Sequence, residues 1–206
     1  MSDAQAMVFI VDDDPAVLKS LARLLRAAGV KAATFGSSEE FLERFDPAAP
    51  ACLVLDIAMP GLNGMALQEA LKAKGFTIPI IFLTGQGDIP TSVQAMKRGA
   101  QDFLTKPVNA DDLLAAVSAA LDKDRGSRRA RAELDDILER LATLTPRERE
   151  VLEHVVAGQL NKQTAADLGT VEKTIKVHRA RVMEKMKAQS VAELVRLAGR
   201  AGIGTK

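Results

Sequence analysis

Three short apolar runs, each ending on polar residues, constrain this chain more than any other feature. Met7–Val11 runs into Asp12-Asp13-Asp14, Cys52–Leu55 into Asp56, and Ile80–Leu83 into Thr84-Gly85. A run that is apolar at every position, not every second one, suits a strand covered on both faces, as in a parallel sheet between two helical layers. Ala32–Phe35 and Asp102–Thr105 are more polar, as flanking strands would be. Stretches of helical period lie between them: Pro15–Ala27, Ser38–Phe45, Gly64–Ala73, Pro90–Arg98 and Ala110–Leu121. Asp14 before Pro15 fits an N-cap followed by proline at the first helical position, and Ser37 with Glu40 fits a capping box. Five β-α units predict a doubly wound α/β sandwich over residues 6–121.

From Leu144 onward the strand pattern is gone. Thr145-Pro146-Arg147-Glu148 reads as a capping box opening a helix to about Ala157, and Asn161–Leu168 as a short helix that Gly169 closes. Thr170 is expected to cap a third helix running to about Met186, and Ser190 with Glu193 a fourth ending near Gly199. Four short helices with a tight turn between the second and third predict a helix-turn-helix over residues 144–206. Residues 122–143 are expected to form a linker whose second half is helical. The spacing of Leu134, Ile137, Leu138, Leu141 and Leu144 suits either packing on its own domain or a dimerising seam.

Charge divides the chain the same way. The net charge of +1 hides about −4 over residues 1–121 and about +5 over residues 144–206, which argues for two domains with different partners. No apolar run approaches the ~18 residues of a membrane span. The first residues lack the basic head and apolar stretch of an export signal, so a cytoplasmic address and no membrane partner are expected. One cysteine, Cys52, excludes an internal disulfide or a cysteine-based zinc site and reads as an inert core residue; a count of two histidines, His154 and His178, argues against a histidine metal site.

In an open parallel sheet, ligands bind beyond the C-terminal ends of the strands. The unusual polar residues all fall there: Asp12, Asp13 and Asp14 after the first strand, Asp56 after the third, Thr84 after the fourth, Lys106 after the fifth. Converging carboxylates repel one another unless a hard cation binds them, and Mg²⁺ suits one or two carboxylates plus a phosphate. A carboxylate can also serve as nucleophile and form an aspartyl phosphate, with a metal and a lysine neutralising the phosphoryl oxygens.

Val11-Asp12-Asp13-Asp14, Leu55-Asp56 with Met59-Pro60-Gly61, Leu83-Thr84-Gly85 and Phe103-Leu104-Thr105-Lys106-Pro107 together resemble a two-component receiver domain, in order and spacing, across the first 121 residues. That resemblance implies a flavodoxin-like sheet of order 2-1-3-4-5. It makes Asp56 the phosphate acceptor, with Asp13, Asp56 and the Ala58 backbone carbonyl holding Mg²⁺ and Asp12 acting close by. It has Lys106 pairing with the phosphate, before a cis bond to Pro107, and Thr84 and Phe103 acting as the switch pair. Asp14 needs no role beyond capping.

The basic tail carries a second resemblance. Residues 172–187 hold Lys173, Lys176, Arg179, Arg181, Lys185 and Lys187 against Glu172 and Glu184. At ~100° per residue, Ile175, Val182 and Met186 form a core stripe. Lys173, Lys176, Val177, Ala180 and Lys187 face away from it, with Arg181 at the edge. Such a face suits a major groove, lysines on phosphates and some base edges and Val177 on a thymine methyl. Arg179 and His178 fall nearer the core. Leu144 to Leu152, Ala157-Gly158, Asn161-Lys162, Ala165, Leu168 and Lys173 to Arg179 resemble a LuxR-type helix-turn-helix, and the pairing with a receiver resembles the FixJ-type branch of the NarL family. The resemblance points to Lys173, Thr174, Lys176, Val177, Ala180 and Arg181 as DNA contacts. One departure is that the turn Gly169-Thr170-Val171-Glu172 lacks the serine-proline often seen there.

The combined expectation is a transcription factor controlled by phosphorylation, its partners a sensor histidine kinase, promoter DNA and RNA polymerase. Phosphorylation is expected to promote a homodimer through Val93, Lys97 and Asp102; relief of an inhibitory receiver–tail contact is an alternative route. Two rivals are a flavodoxin-like phosphohydrolase using Asp56, which would need a second carboxylate as general acid and leaves the basic tail idle, and a constitutive DNA-binding repressor. No glycine-rich nucleotide loop, no Ser–His–Asp set and, with seven Phe but neither Trp nor Tyr, no aromatic stacking platform accompany them.

Overall fold

The computed structural model of the protein describes residues 6–45, 49–85 and 97–204, which fall into two compact units, 1–128 and 129–206. Most of the expected helix Pro90–Arg98, with Val93, lies outside the described residues.

The first unit is a five-stranded, wholly parallel sheet: β1 (Met7–Val11), β2 (Lys31–Phe35), β3 (Ala51–Asp56), β4 (Ile80–Thr84) and β5 (Asp102–Thr105), in order β2-β1-β3-β4-β5. The runs apolar at every position are the three central strands, as double-sided burial demands. Alternate residues feed two cores. Phe9, Val11, Leu53, Leu55 and Phe82 meet α2 (Ser38–Arg44) and α3 (Gly64–Ala73) on one face. Val8, Ile10, Cys52, Val54, Ile81 and Leu83 meet α1 (Pro15–Ala27) and the start of α4 (Ala110–Ala142) on the other. Phe9, Phe35, Phe41, Phe45 and Phe76 form one chain of edge-to-face and tilted rings through the first core.

Asp14 caps α1 through Ala16 N–H at 2.8 Å, and Ser37 caps α2 through Glu40 N–H at 3.1 Å. The largest departure from expectation is α4. It does not stop at Leu121 but runs unbroken for 33 residues, through Gly126. Asp124, buried, explains much of this: its Oδ2 accepts Ala51 N–H at 2.9 Å and Arg128 Nε at 2.6 Å. A carboxylate 73 residues away thus satisfies the first amide of β3 and ties the helix past its expected end to the sheet. Cys52 is fully buried beside it, and burial first, then the Asp124 charge, pushes its thiol pKa up to about 12, that of an inert side chain.

The second unit contains the end of α4 and four short helices: α5 (Pro146–Val156), α6 (Asn161–Asp167), α7 (Glu172–Lys185) and α8 (Val191–Arg200). Ile137, Leu141 and Leu144 are buried in the core formed by these helices, so that stripe packs within its own unit, while Leu138 faces solvent. Thr145 and Glu148 form the capping box in both directions. Gly169 makes the turn between α6 and α7 at φ +62°, where an L side chain would be strained. The expected capping by Thr170 is overturned: the N-cap of α7 is Val171, with no side-chain hydrogen bond. Thr170 lies one residue too early to reach the helix amides and spends its own N–H on Ala165 O at 2.9 Å.

Candidate functional site

The strand register brings the polar strand ends together. Val11 pairs with Leu55 and Asp56 with Leu83, so the residues after β1 meet the C-terminal ends of β3 and β4. Asp12 is fully buried, Asp56 and Thr84 nearly so, and Asp13 is exposed. Carboxylate oxygens of Asp12, Asp13 and Asp56 lie within 4.8 Å of one another. Lys106 Nζ is 2.7 Å from Asp12 Oδ2 and 3.1 Å from Asp56 Oδ2. The lysine is delivered by β5: its backbone N–H donates to Thr84 O at 2.6 Å, and the bond to Pro107 is cis, as the resemblance implied.

The electrostatics follow from this crowding. Burial raises the Asp12 carboxyl above the ordinary carboxylate range, against the opposing pull of Lys106 and the Asp14 N–H. Burial alone would lower the Lys106 ammonium, but its hydrogen bonds to Asp12 and Asp56, with their charges, outweigh this and hold it above its ordinary value. A donor set made only of oxygens, short of positive charge and open on the Asp13 side, fits a hard divalent cation.

The loop after Asp56 is held from three sides. Gly64 N–H donates to Ile57 O at 3.2 Å, Leu62 N–H to Glu39 Oε1 of α2 at 3.1 Å, and Asn63 caps α3 through Ala66 N–H at 2.9 Å. A Cβ on Gly64 would fall 2.3 Å from the Asp56 carbonyl oxygen. Sequence reasoning read Gly64 only as a helix start and did not single out Glu39. The sole local hint was a glycine opening a helix immediately after an asparagine cap. Ala58, whose carbonyl was expected at the metal, lies in this loop.

Phe103 is half-buried against the core that meets α2 and α3, and Asp102 turns its carboxylate onto Phe103 N–H at 2.8 Å. Lys97 is exposed. With Val93 outside the described residues, the expected self-association patch is represented only by Lys97 and Asp102.

On α7, Ile175, Val182 and Met186 are fully buried, as the helical spacing required. Lys173, Lys176, Val177, Ala180 and Arg181 are exposed and Thr174 is half-buried, giving one basic face with a small apolar centre. Lys176 pairs with Glu172 at 3.1 Å in solvent. Arg179 is instead turned to Asn161 Oδ1 at 3.2 Å, and His178 is half-buried. His154 lies between Gln159 and Asp167 and takes part in packing.

Comparison with known proteins gives two family matches. Residues 8–118 match the response regulator receiver domain, and residues 142–198 match the bacterial regulatory proteins of the luxR family. The chain is 45% identical over 202 residues to nodulation protein W of Bradyrhizobium diazoefficiens, covering 98% of this chain and 89% of that one. It is 44% identical over 200 residues to response regulator protein TodT of Pseudomonas putida, covering 97% and 88%. It is 42% identical over 196 residues to transcriptional regulatory protein FixJ of Bradyrhizobium diazoefficiens, covering 95% and 96%. Among solved structures, response regulator StyR superposes with a TM-score of 0.87 at 44% identity, over 96% of this chain and all of that one.

Proposed function

Because the chain belongs to the response regulators that join a receiver domain to a LuxR-type DNA-binding domain, we propose that phosphoryl transfer to Asp56 controls how residues 144–206 bind promoter DNA. The observation that carries this reading is the convergence of Asp12, Asp13, Asp56, Thr84 and Lys106 at the C-terminal ends of the strands. Residues 6–121 act as receiver, 122–143 as connection and 144–206 as DNA-binding domain.

Asp56 supplies the attacking carboxylate oxygen. A phosphoryl group passes to it from a donor, in the cell a sensor histidine kinase, and the donor's leaving group departs with the bond's electron pair. Asp12, Asp13, Asp56 and the Ala58 carbonyl would hold Mg²⁺, whose charge offsets that of the phosphoryl oxygens. Lys106, already beside both Asp12 and Asp56, neutralises a phosphoryl oxygen on Asp56. The added charge of roughly −1.5 to −2 draws the Thr84 hydroxyl. Phe103 follows, and the altered surface around Lys97 and Asp102 supports pairing of two copies. Two such chains present two α7 helices to successive major grooves, ~34–36 Å apart. Recruitment of RNA polymerase and action in the cytoplasm belong to the same reading. The family matches, and a basic tail that has no part in a phosphohydrolase, favour a regulator over an enzyme that turns over phosphoesters.

The test is intact-mass spectrometry after treatment with acetyl phosphate and Mg²⁺. An 80-dalton adduct on the native chain and none on Asp56→Asn is expected. An adduct retained in Asp56→Asn, or promoter binding of the native chain unchanged by the treatment, overturns the reading.

A further inference from the structure

Six of the eight helices among the described residues begin on a polar side chain that accepts a first-turn N–H. These are Asp14, Ser37, Asn63, Asn109, Thr145 and Ser190, with distances between 2.8 and 3.3 Å. The two exceptions are α6 and α7, the pair that forms the helix-turn-helix. They begin on Leu160 and Val171, neither with a side-chain cap. These two are also the most exposed large apolar residues described, at 69% and 65%. An aliphatic residue at an N-cap forfeits a hydrogen bond that serine, threonine or aspartate would supply, and its exposure adds nothing to the core. Stability therefore explains neither residue, while a bound macromolecule that covers them would.

We propose that Val171 is a specificity-determining residue of the DNA interface, its isopropyl group meeting a thymine methyl at a base edge. This rests on the DNA-binding reading of residues 144–206. The face that α7 presents is basic, through Lys173, Lys176 and Arg181, so the occupant is polyanionic. In helix-turn-helix docking, the N-terminal residues of the second helix reach base edges, whereas the first helix crosses the backbone. Val171 opens the second helix and Leu160 the first. Val171 thus specifies, and Leu160 positions by packing on sugar–phosphate backbone, the division of labour between base and backbone contacts. Val177, exposed at 46% six residues further along α7, supplies a second apolar contact of the kind that distinguishes thymine from cytosine.

The serine variant separates this role from a merely tolerated surface valine. Val171→Ser restores a cap and removes the methyl groups; Val171→Thr restores the cap and keeps one methyl. Both variants and the native chain, full length and treated with acetyl phosphate and Mg²⁺, are used to select from a randomised double-stranded DNA pool, and their thermal unfolding is followed in parallel. Both variants are expected to melt higher than the native chain. Val171→Ser should lose preference for thymine at one position of each half-site by roughly fourfold, about the worth of one buried methyl group, while Val171→Thr keeps it. Unchanged base preferences in Val171→Ser, equal loss in both variants, or a uniform fall in affinity across all sequences overturns the role of Val171. A native chain that selects no sequence overturns the DNA-binding reading itself.

Discussion

Lys106 stands between Asp12 and Asp56, its ammonium 2.7 Å from the first and 3.1 Å from the second, both carboxylates being almost wholly buried. It is the counter-charge that lets two strand ends keep acidic groups inside the fold. Replacing it with alanine leaves that charge uncompensated, at a cost of about 1–3 kcal/mol once its partial exposure is allowed for. A divalent cation supplies the missing charge. Lys106→Ala is therefore expected to melt below the native chain in chelator, and to gain more from millimolar Mg²⁺ than the native chain does. Equal Mg²⁺ shifts in melting temperature would show that lysine and cation do not share the site.

Gly64 is fixed by the Asp56 backbone. The atom that a Cβ would strike, at 2.3 Å, is a carbonyl oxygen at the end of β3, not the tip of a mobile side chain. Gly64→Ala must push the Ile57–Asn63 loop away from Asp56. The expected loss is about 1–3 kcal/mol, by analogy with overpacked cores, together with slower phosphorylation of Asp56 by acetyl phosphate. Melting curves and phosphorylation time courses check both; a variant with native values would mean that the loop yields freely.

The strands and their polar ends were legible because burial on both faces and ligand binding at strand ends are written in local sequence. Asp12, Asp56, Thr84 and Lys106 fell where that logic put them. Three features were not legible, each for a tertiary reason. Gly126-Ser127 reads locally as a break, since a mid-helix glycine costs about 1 kcal/mol. The helix continues because Asp124 is tied to Ala51 N–H and Arg128, and Arg129 to Glu133. Gly64 is required by a backbone contact eight positions earlier, which no periodicity reveals. Thr170 and Val171 differ by one residue in cap register, finer than a sequence pattern resolves. The leucine stripe of 134–144 fitted two readings by spacing alone, and the burial of Ile137, Leu141 and Leu144 selects packing within the unit.

Lys173 and Lys176 are exposed on the face proposed for DNA, and neither is needed by the core. If each neutralises one phosphate, Lys173→Ala and Lys176→Ala each lower the slope of log affinity against log salt by about 1, without changing base preference. Lys176 is paired with Glu172 at 3.1 Å in the unbound protein, so Glu172→Gln frees it and should tighten binding at low salt. Filter binding or fluorescence anisotropy from ~50 to 300 mM salt measures all three. A slope unaltered in both lysine variants would place DNA on another face.

Glu148 makes the second unit acid-sensitive. Its carboxylate accepts Lys185 Nζ at 2.6 Å and Thr145 N–H at 2.9 Å while almost wholly buried. The Lys185 hydrogen bond first, then Thr145 N–H, holds its pKa down at about 2, against 4.5 for an ordinary glutamate. A carboxyl whose pKa is depressed by folding stabilises the fold above its unfolded value and loses that contribution as pH falls. The loss should run from about pH 4.5 to about pH 2. Glu148→Gln keeps an acceptor for Thr145 but gives up the charge. It should be less stable than the native chain at pH 7, by about 1.5–3 kcal/mol, the usual worth of a hydrogen bond to a charged group. The gap should close as the pH drops through that window. Far-ultraviolet circular dichroism melts of both chains across the pH series measure the gap, since the helices of the first unit are common to the two. A gap that stays constant from pH 7 to pH 2 would mean that the Lys185–Glu148 pair does not hold α5 against α7.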